Sequence, residues 1–189
     1  MGTQTGRAGA APSWAPWIRI LWLFPLGLAV HDFEEWATLP GWFAAQRDML
    51  EQVAVQHPAA GRALHALAGS AAQQAGAIGL VVLLSFVVTA GAARSGRRGV
   101  WLAAYVVALG AALLHVPVHL LQAVYFRTYI PGLFGAVLVL LPAGTLVVRR
   151  LLAERLVAPG ELALAAVAGL AVFGPLVIAA HALACRLVA

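Results

Sequence analysis

Long apolar runs separated by short arginine-bearing links dominate this chain. About 20 mostly apolar residues are what an α-helix needs to cross the hydrocarbon core of a bilayer. Runs of that kind cover about 17–38, 74–92, 100–125, 131–148 and 161–183. The pattern predicts an all-α fold: a polytopic transmembrane helical bundle of about five spans, forming one membrane domain over 1–189. Composition agrees, because 62% of the residues are hydrophobic and 10% charged, with a mean hydropathy of +0.90. A soluble domain carries roughly 25% charged residues, so the lipid bilayer is this chain's first partner.

The links give the orientation. Arg94, Arg97 and Arg98 follow the second run, and Arg149, Arg150 and Arg155 follow the fourth. Arginines in alternate links mark the cytoplasmic side. This predicts a cytoplasmic amino terminus and an extracytoplasmic carboxyl terminus. Arg47, Arg62 and Arg127 on the other side make the bias modest. All twelve basic residues are arginines lying between apolar runs, so the net charge of +5 reads as topology and not as a nucleic-acid footprint. Absence of lysine beside abundant Ala, Gly and Arg points to GC-rich coding and a bacterial cytoplasmic membrane. Cys185 is the single cysteine, which excludes an intramolecular disulfide and a cysteine metal cage.

The first run follows Arg7 and Arg19, as a signal peptide would, but Val30 leads into His31 and Asp32 with no small-residue cleavage site. It reads as a retained helix, ended by Pro40 and Gly41. Trp14, Trp17, Trp22, Trp36 and Trp42 lie in or beside it as interfacial anchors. Segment 42–70 holds Arg47, Asp48, Glu51, His57, Arg62 and His65, with apolar residues at helical spacing. It predicts an interfacial or extramembrane helix with solvated histidines. No internal repeat supports an inverted-repeat transporter.

Three of the seven acidic residues, Asp32, Glu34 and Glu35, fall within four positions at the end of the first run. Each mid-membrane carboxylate costs about 2.5–3.5 kcal/mol on insertion scales, while each large aliphatic returns about 0.3–0.6. The carboxylates therefore need an interfacial position, protons, or a cationic or polar partner in the bundle. On a helix His31, Glu34 and Glu35 share one face, with Asp32 turned away by about 100°. His115 and His119 in the third run stand at i and i+4, the spacing that presents two imidazoles to one metal. Pro117 between them removes a donor from the Leu113 carbonyl and predicts a local kink.

Depth links the two groups. At about 1.5 Å per residue, His31 lies roughly 21 Å from Trp17 and His115 roughly 22 Å from Val100. Both sets thus reach one outer level, and His181, near the outward end of the last run, can approach it. The plainer reading takes the acidic motif as a solvated helix end, His115 and His119 as interhelical hydrogen-bonding groups, His181 as an interfacial residue, and Tyr125, Arg127 and Tyr129 as interfacial anchors.

His31-Asp32-Phe33-Glu34-Glu35, a later membrane histidine at His115 and Tyr129-Ile130-Pro131-Gly132 occur in that order. With these elements the chain resembles a family of bacterial integral membrane proteins named for a His-x-x-Glu-Glu motif, over roughly 21–140. The resemblance implies a membrane architecture and a set of site residues, not a reaction. His119 and His181 rest on spacing alone.

The candidate metal ligands are His31, Glu34, Glu35, His115, His119 and His181, with Glu34 and Glu35 as candidate catalytic carboxylates. Three histidines with an open position suit catalytic zinc, with a glutamate as base toward a bound water. Two carboxylates with several histidines suit non-haem iron equally well. The expected function is a metal-dependent hydrolase or non-haem iron oxidase acting on a lipid or apolar substrate. The alternatives are a proton- or ion-linked transport protein and a non-catalytic scaffold with a structural His/Glu network. Transport is weakened because the inner halves of the runs lack ionisable groups apart from Arg19 and Glu161 at their ends.

Overall fold

The structure is a computed structural model that describes residues 16–59, 61, 69–95 and 99–188. Trp14, Arg7, Arg62, His65, Arg97 and Arg98 lie outside the described residues. Among the described residues the chain runs through α1 (Pro16–Leu21), α2 (Leu23–Ala45), α3 (Arg47–Gln56), α4 (Ala71–Ser95), α5 (Val100–Phe126), α6 (Leu141–Ala153) and α7 (Pro159–Val188). A π-helical turn, Gly135–Leu140, runs directly into α6. No strand occurs among the described residues, and the all-α bundle predicted from the runs is the fold.

Among the described residues, four helices are long and apolar enough to cross a membrane: α4, α5, the π-turn with α6, and α7. They make this a membrane protein. Helix α2 has comparable length but carries Asp32, Glu34 and Glu35.

The start of α2 follows from Pro25. An α-helical carbonyl at position 21 needs the N–H of residue 25, which proline lacks. The helix breaks at Trp22, and the orphaned Leu21 carbonyl accepts a hydrogen bond from the Tyr105 hydroxyl at 2.8 Å. Tyr105 is fully buried and meets Phe24 edge to face, with ring centroids 5.5 Å apart. At its far end α2 continues through Pro40 to Ala45, past the break expected there. Proline removes only the bond to the Trp36 carbonyl, at an exposed turn of the helix. Trp42 to Ala45 therefore belong to α2, and in the predicted polar segment the described residues form α3, which has no buried residue, with further helical residues at 58, 59 and 61.

Helix α5 lies at the centre. It supplies Leu102, Tyr105, Val106, Leu109, Ala112 and Val116 to a core shared with Leu21, Phe24 and Leu28 of the first helices and with Leu140 of the π-turn and Val147 and Leu151 of α6. It stays helical through Pro117. Close contact with α7 depends on small residues: a Cβ on Gly110 would stand 2.7 Å from the Ala166 backbone, and one on Gly169 would stand 2.9 Å from Ala111. Without a hydrophobic drive between helices in lipid, such close approach is what holds them together. The pairs 110–166, 111–169 and 115–173 rise together, so α5 and α7 run parallel.

The π-turn also has a local cause. Pro142 cannot donate to the Leu138 carbonyl, and the chain winds more widely just before it, with the Leu141 N–H bonding to the Ala136 carbonyl five residues back. Turns of this kind are frequent at functional sites. This one packs against α2 at the level of His31 and Glu34.

Candidate metal centre

Residues from three chain segments meet at one end of the bundle. His31 and Glu35 come from α2, and His115 and His119 from α5. One donor atom from each lies within 4.8 Å of every other. Donors sharing one ion at about 2.1 Å stand about 3–4.2 Å apart, from cis to trans. The four side chains therefore already have nearly the spacing of one coordination sphere. The imidazole centroids lie 4.9 Å (His31–His119), 5.8 Å (His31–His115) and 4.4 Å (His115–His119) apart. His31 and His119 are buried, whereas His115 and Glu35 are half-buried.

The third segment is the connection into the fourth run. Ile130 to Leu133 form a turn closed by the Leu133 N–H on the Ile130 carbonyl at 3.1 Å. Pro131 and Gly132 occupy its central positions, and Gly132 has φ +81°. Proline followed by a residue at positive φ is the signature of a type II turn. The turn presents the Gly132 carbonyl to His31 Nδ1 at 2.9 Å. A carbonyl only accepts, so Nδ1 carries the proton and donates. This bond sets the ring orientation, as is usual for metal-binding histidines.

With Nδ1 protonated, the other nitrogen of a neutral His31 ring bears a lone pair. His31 Nε2 lies 3.6 Å from Asp32 Oδ1 and 3.7 Å from Glu35 Oε2. A lone pair facing two carboxylates in the bundle interior is repulsive unless a cation or proton lies between them. His115 Nε2 and His119 Nε2 are 2.8 Å apart, with one N–H donating to the other ring. His119 Nδ1 is buried without a hydrogen-bond partner. An ion held by both rings would replace the ring-to-ring bond. The chemistry of this donor set fits a divalent metal.

Glu34 stands apart from this quartet. Its carboxylate accepts from the Tyr129 hydroxyl, from the Phe134 N–H at 3.3 Å and from the Gly135 N–H. The last two amides open the helical segment of the fourth run, where N–H groups lack intrahelical partners and favour an anion. Thr38 completes the contact, its hydroxyl 3.4 Å from that of Tyr129 while donating to the Glu34 carbonyl at 2.8 Å. Burial, and next the bond to Glu34, raise the Tyr129 pKa above that of an ordinary phenol, so it remains a donor at neutral pH. The His-x-x-Glu-Glu and Tyr-x-Pro-Gly elements are thus two halves of one joint.

His181 is not brought into the quartet. Its Nδ1 donates to the Val177 carbonyl at 3.0 Å within α7. At the level of the quartet α7 contributes Phe173, whose ring lies 4.8 Å from that of His115. Eight residues, or about 12 Å of helix, separate Phe173 from His181. His57 is the C-cap residue of α3 and is not one of the four donors.

Some residues of the site escaped the sequence. Asp32 is buried beside His31, although a helical wheel turns it away. Tyr129 read as an anchor. Gly135 carried no signal at all, yet a Cβ there would stand 2.6 Å from His31 Cα and 2.9 Å from Glu34 Oε2. The Pro-Gly pair was the readable sign that this connection makes a specific turn.

No curated protein and no solved structure matches the chain. Residues 22–147 match the family described as "Protein of unknown function with HXXEE motif"; the match spans all three segments of the site and most of the chain, and the protein belongs to that family.

Proposed function

We propose that the protein is a membrane-embedded metalloenzyme whose centre is His31, Glu35, His115 and His119. The convergence of four donor atoms within 4.8 Å from two different helices carries the reading. It is supported by the orientation of His31 through Gly132 and by the unpartnered His119 nitrogen.

When bound, a divalent metal would supply Lewis-acid activation of water or redox chemistry with oxygen, according to its identity. The chain's own residues do the rest. His31 is aimed by Gly132, while Glu35 adds negative charge that favours a cation. Glu34, with three donors on its carboxylate, is a positioning residue that clamps the connection 129–135 to α2. Phe33, Leu120, Leu121 and Phe134 present exposed apolar surface at this end of the bundle, consistent with a lipid or other apolar substrate arriving from the bilayer. With the arginine-bearing links in the cytoplasm, the centre faces the outer leaflet of a bacterial cytoplasmic membrane.

The test is elemental analysis of detergent-purified protein after exposure to zinc and iron, beside the variant H31A/E35A/H115A. Stoichiometric metal in the wild type and none in the folded variant is the expected result. Trace metal in both would sink the proposal.

A further inference from the structure

We infer that Asp32 is a fifth metal donor, making the centre a three-imidazole, two-carboxylate site for a five- or six-coordinate ion such as iron or manganese. The inference rests on the metal-centre reading above.

Three observations carry it. Asp32 is buried, 7% exposed, in a helix turn where an unpaired carboxylate is costly. Its Oδ1 lies 3.6 Å from His31 Nε2, nearly the 3.7 Å that separates the same nitrogen from Glu35 Oε2. Both separations exceed hydrogen-bonding range, yet they fall within the roughly 3–4.2 Å expected between donors on one ion. Asp32 and Glu35 therefore approach the same His31 nitrogen at nearly equal distance, although only Glu35 belongs to the named motif; Glu35 also lies within 4.8 Å of the other donors, whereas the Asp32 carboxylate must swing inward to join all of them.

Donor count then decides the kind of ion. Catalytic zinc keeps three protein ligands and an open position, and four protein donors close a tetrahedral site. His31, Glu35, His115 and His119 alone would make a closed zinc site with no place for a reacting molecule. Adding Asp32 exceeds a tetrahedron altogether. In a six-coordinate ion, five protein donors leave one position free, and mixed imidazole and carboxylate donors suit iron or manganese.

The experiment uses the full chain in detergent, stripped of metal and titrated anaerobically with cobalt(II), a spectroscopic probe, and separately with iron(II). Wild type should take up cobalt with the weak absorption bands of a five- or six-coordinate ion. D32N keeps the size and a hydrogen-bonding oxygen but removes the charge. It should lose more than about 100-fold in affinity, beyond the roughly 10–100-fold cost of removing a merely outer-shell partner. Its residual cobalt should show the intense bands of a tetrahedral site. D32E should recover part of the affinity.

A smaller loss with an unchanged spectrum would make Asp32 an outer-shell residue and overturn the inference. Tetrahedral bands in the wild type would overturn it too, whether or not D32N folds. Wild type that binds neither metal removes the metal-centre reading itself, a distinct outcome.

Discussion

Gly132 meets two demands at once. Its φ of +81° belongs to a turn position that L side chains adopt only at a cost of about 1–2 kcal/mol, and a Cβ would stand 2.6 Å from His31 Cε1. Because the same residue's carbonyl holds His31 Nδ1, strain and ligand orientation are coupled. G132A is expected to lower stability by at least about 1–2 kcal/mol and to reduce metal retention at temperatures where it is still folded. Thermal unfolding and metal analysis on the same preparation check this. Full metal retention would show that the carbonyl does not orient the ligand.

Proline placement shapes the elements, and each proline leaves a carbonyl to be satisfied. Pro25 frees the Leu21 carbonyl, and Tyr105 bonds to it from another helix. Y105F alone should cost about 1–3 kcal/mol, the price of a buried acceptor left without a donor. P25A restores a backbone N–H to that carbonyl, so Y105F should cost much less in the P25A background. The coupling measured by a double-mutant cycle should reach about 1 kcal/mol. Simple additivity would mean that Tyr105 acts by packing alone. Pro142 shows the same principle with another outcome: the helix widens into the π-turn that brings Gly135 against His31.

At the scale of the bundle, the arginines that end α4 and α6 stand away from the acidic motif of α2. Arg94 ends α4 and Arg150 ends α6, the latter paired with Glu154 at 2.7 Å. Arg155 reverses the chain there at φ +51°, with the Leu156 N–H on the Leu151 carbonyl and the Arg155 N–H on the Leu152 carbonyl. This pair of bonds closes a helix end of the Schellman type. The His/Glu quartet lies at the opposite end. Single cysteines introduced at Gly2, Gln56 or Ala158 in a C185S background test the resulting topology. An impermeant thiol reagent on intact cells should label only the Gln56 variant, the other two reacting after permeabilisation. Inverted labelling would reverse the orientation. Gly2 and Gln56 reacting on one side would show that α1 and α2 do not cross the membrane.

Much of this was written in local pattern. Apolar runs of spanning length follow directly from the bilayer's thickness, and the i, i+4 spacing of His31 with Glu35 and of His115 with His119 follows from helical geometry. Counting residues from the run ends even placed the two groups at one depth. What local pattern could not hold was register and rotation between segments far apart in the chain. The parallel packing of α5 on α7 through Gly110 and Gly169 sets Phe173, not His181, beside His115. The turn at Pro131 and Gly132 commits Glu34 to backbone amides and leaves Glu35 with the histidines. Asp32, turned away on an isolated helix, is buried once α2 packs in the bundle. Sequence spacing determines which side chains share a face of one helix; only packing between helices decides what that face meets.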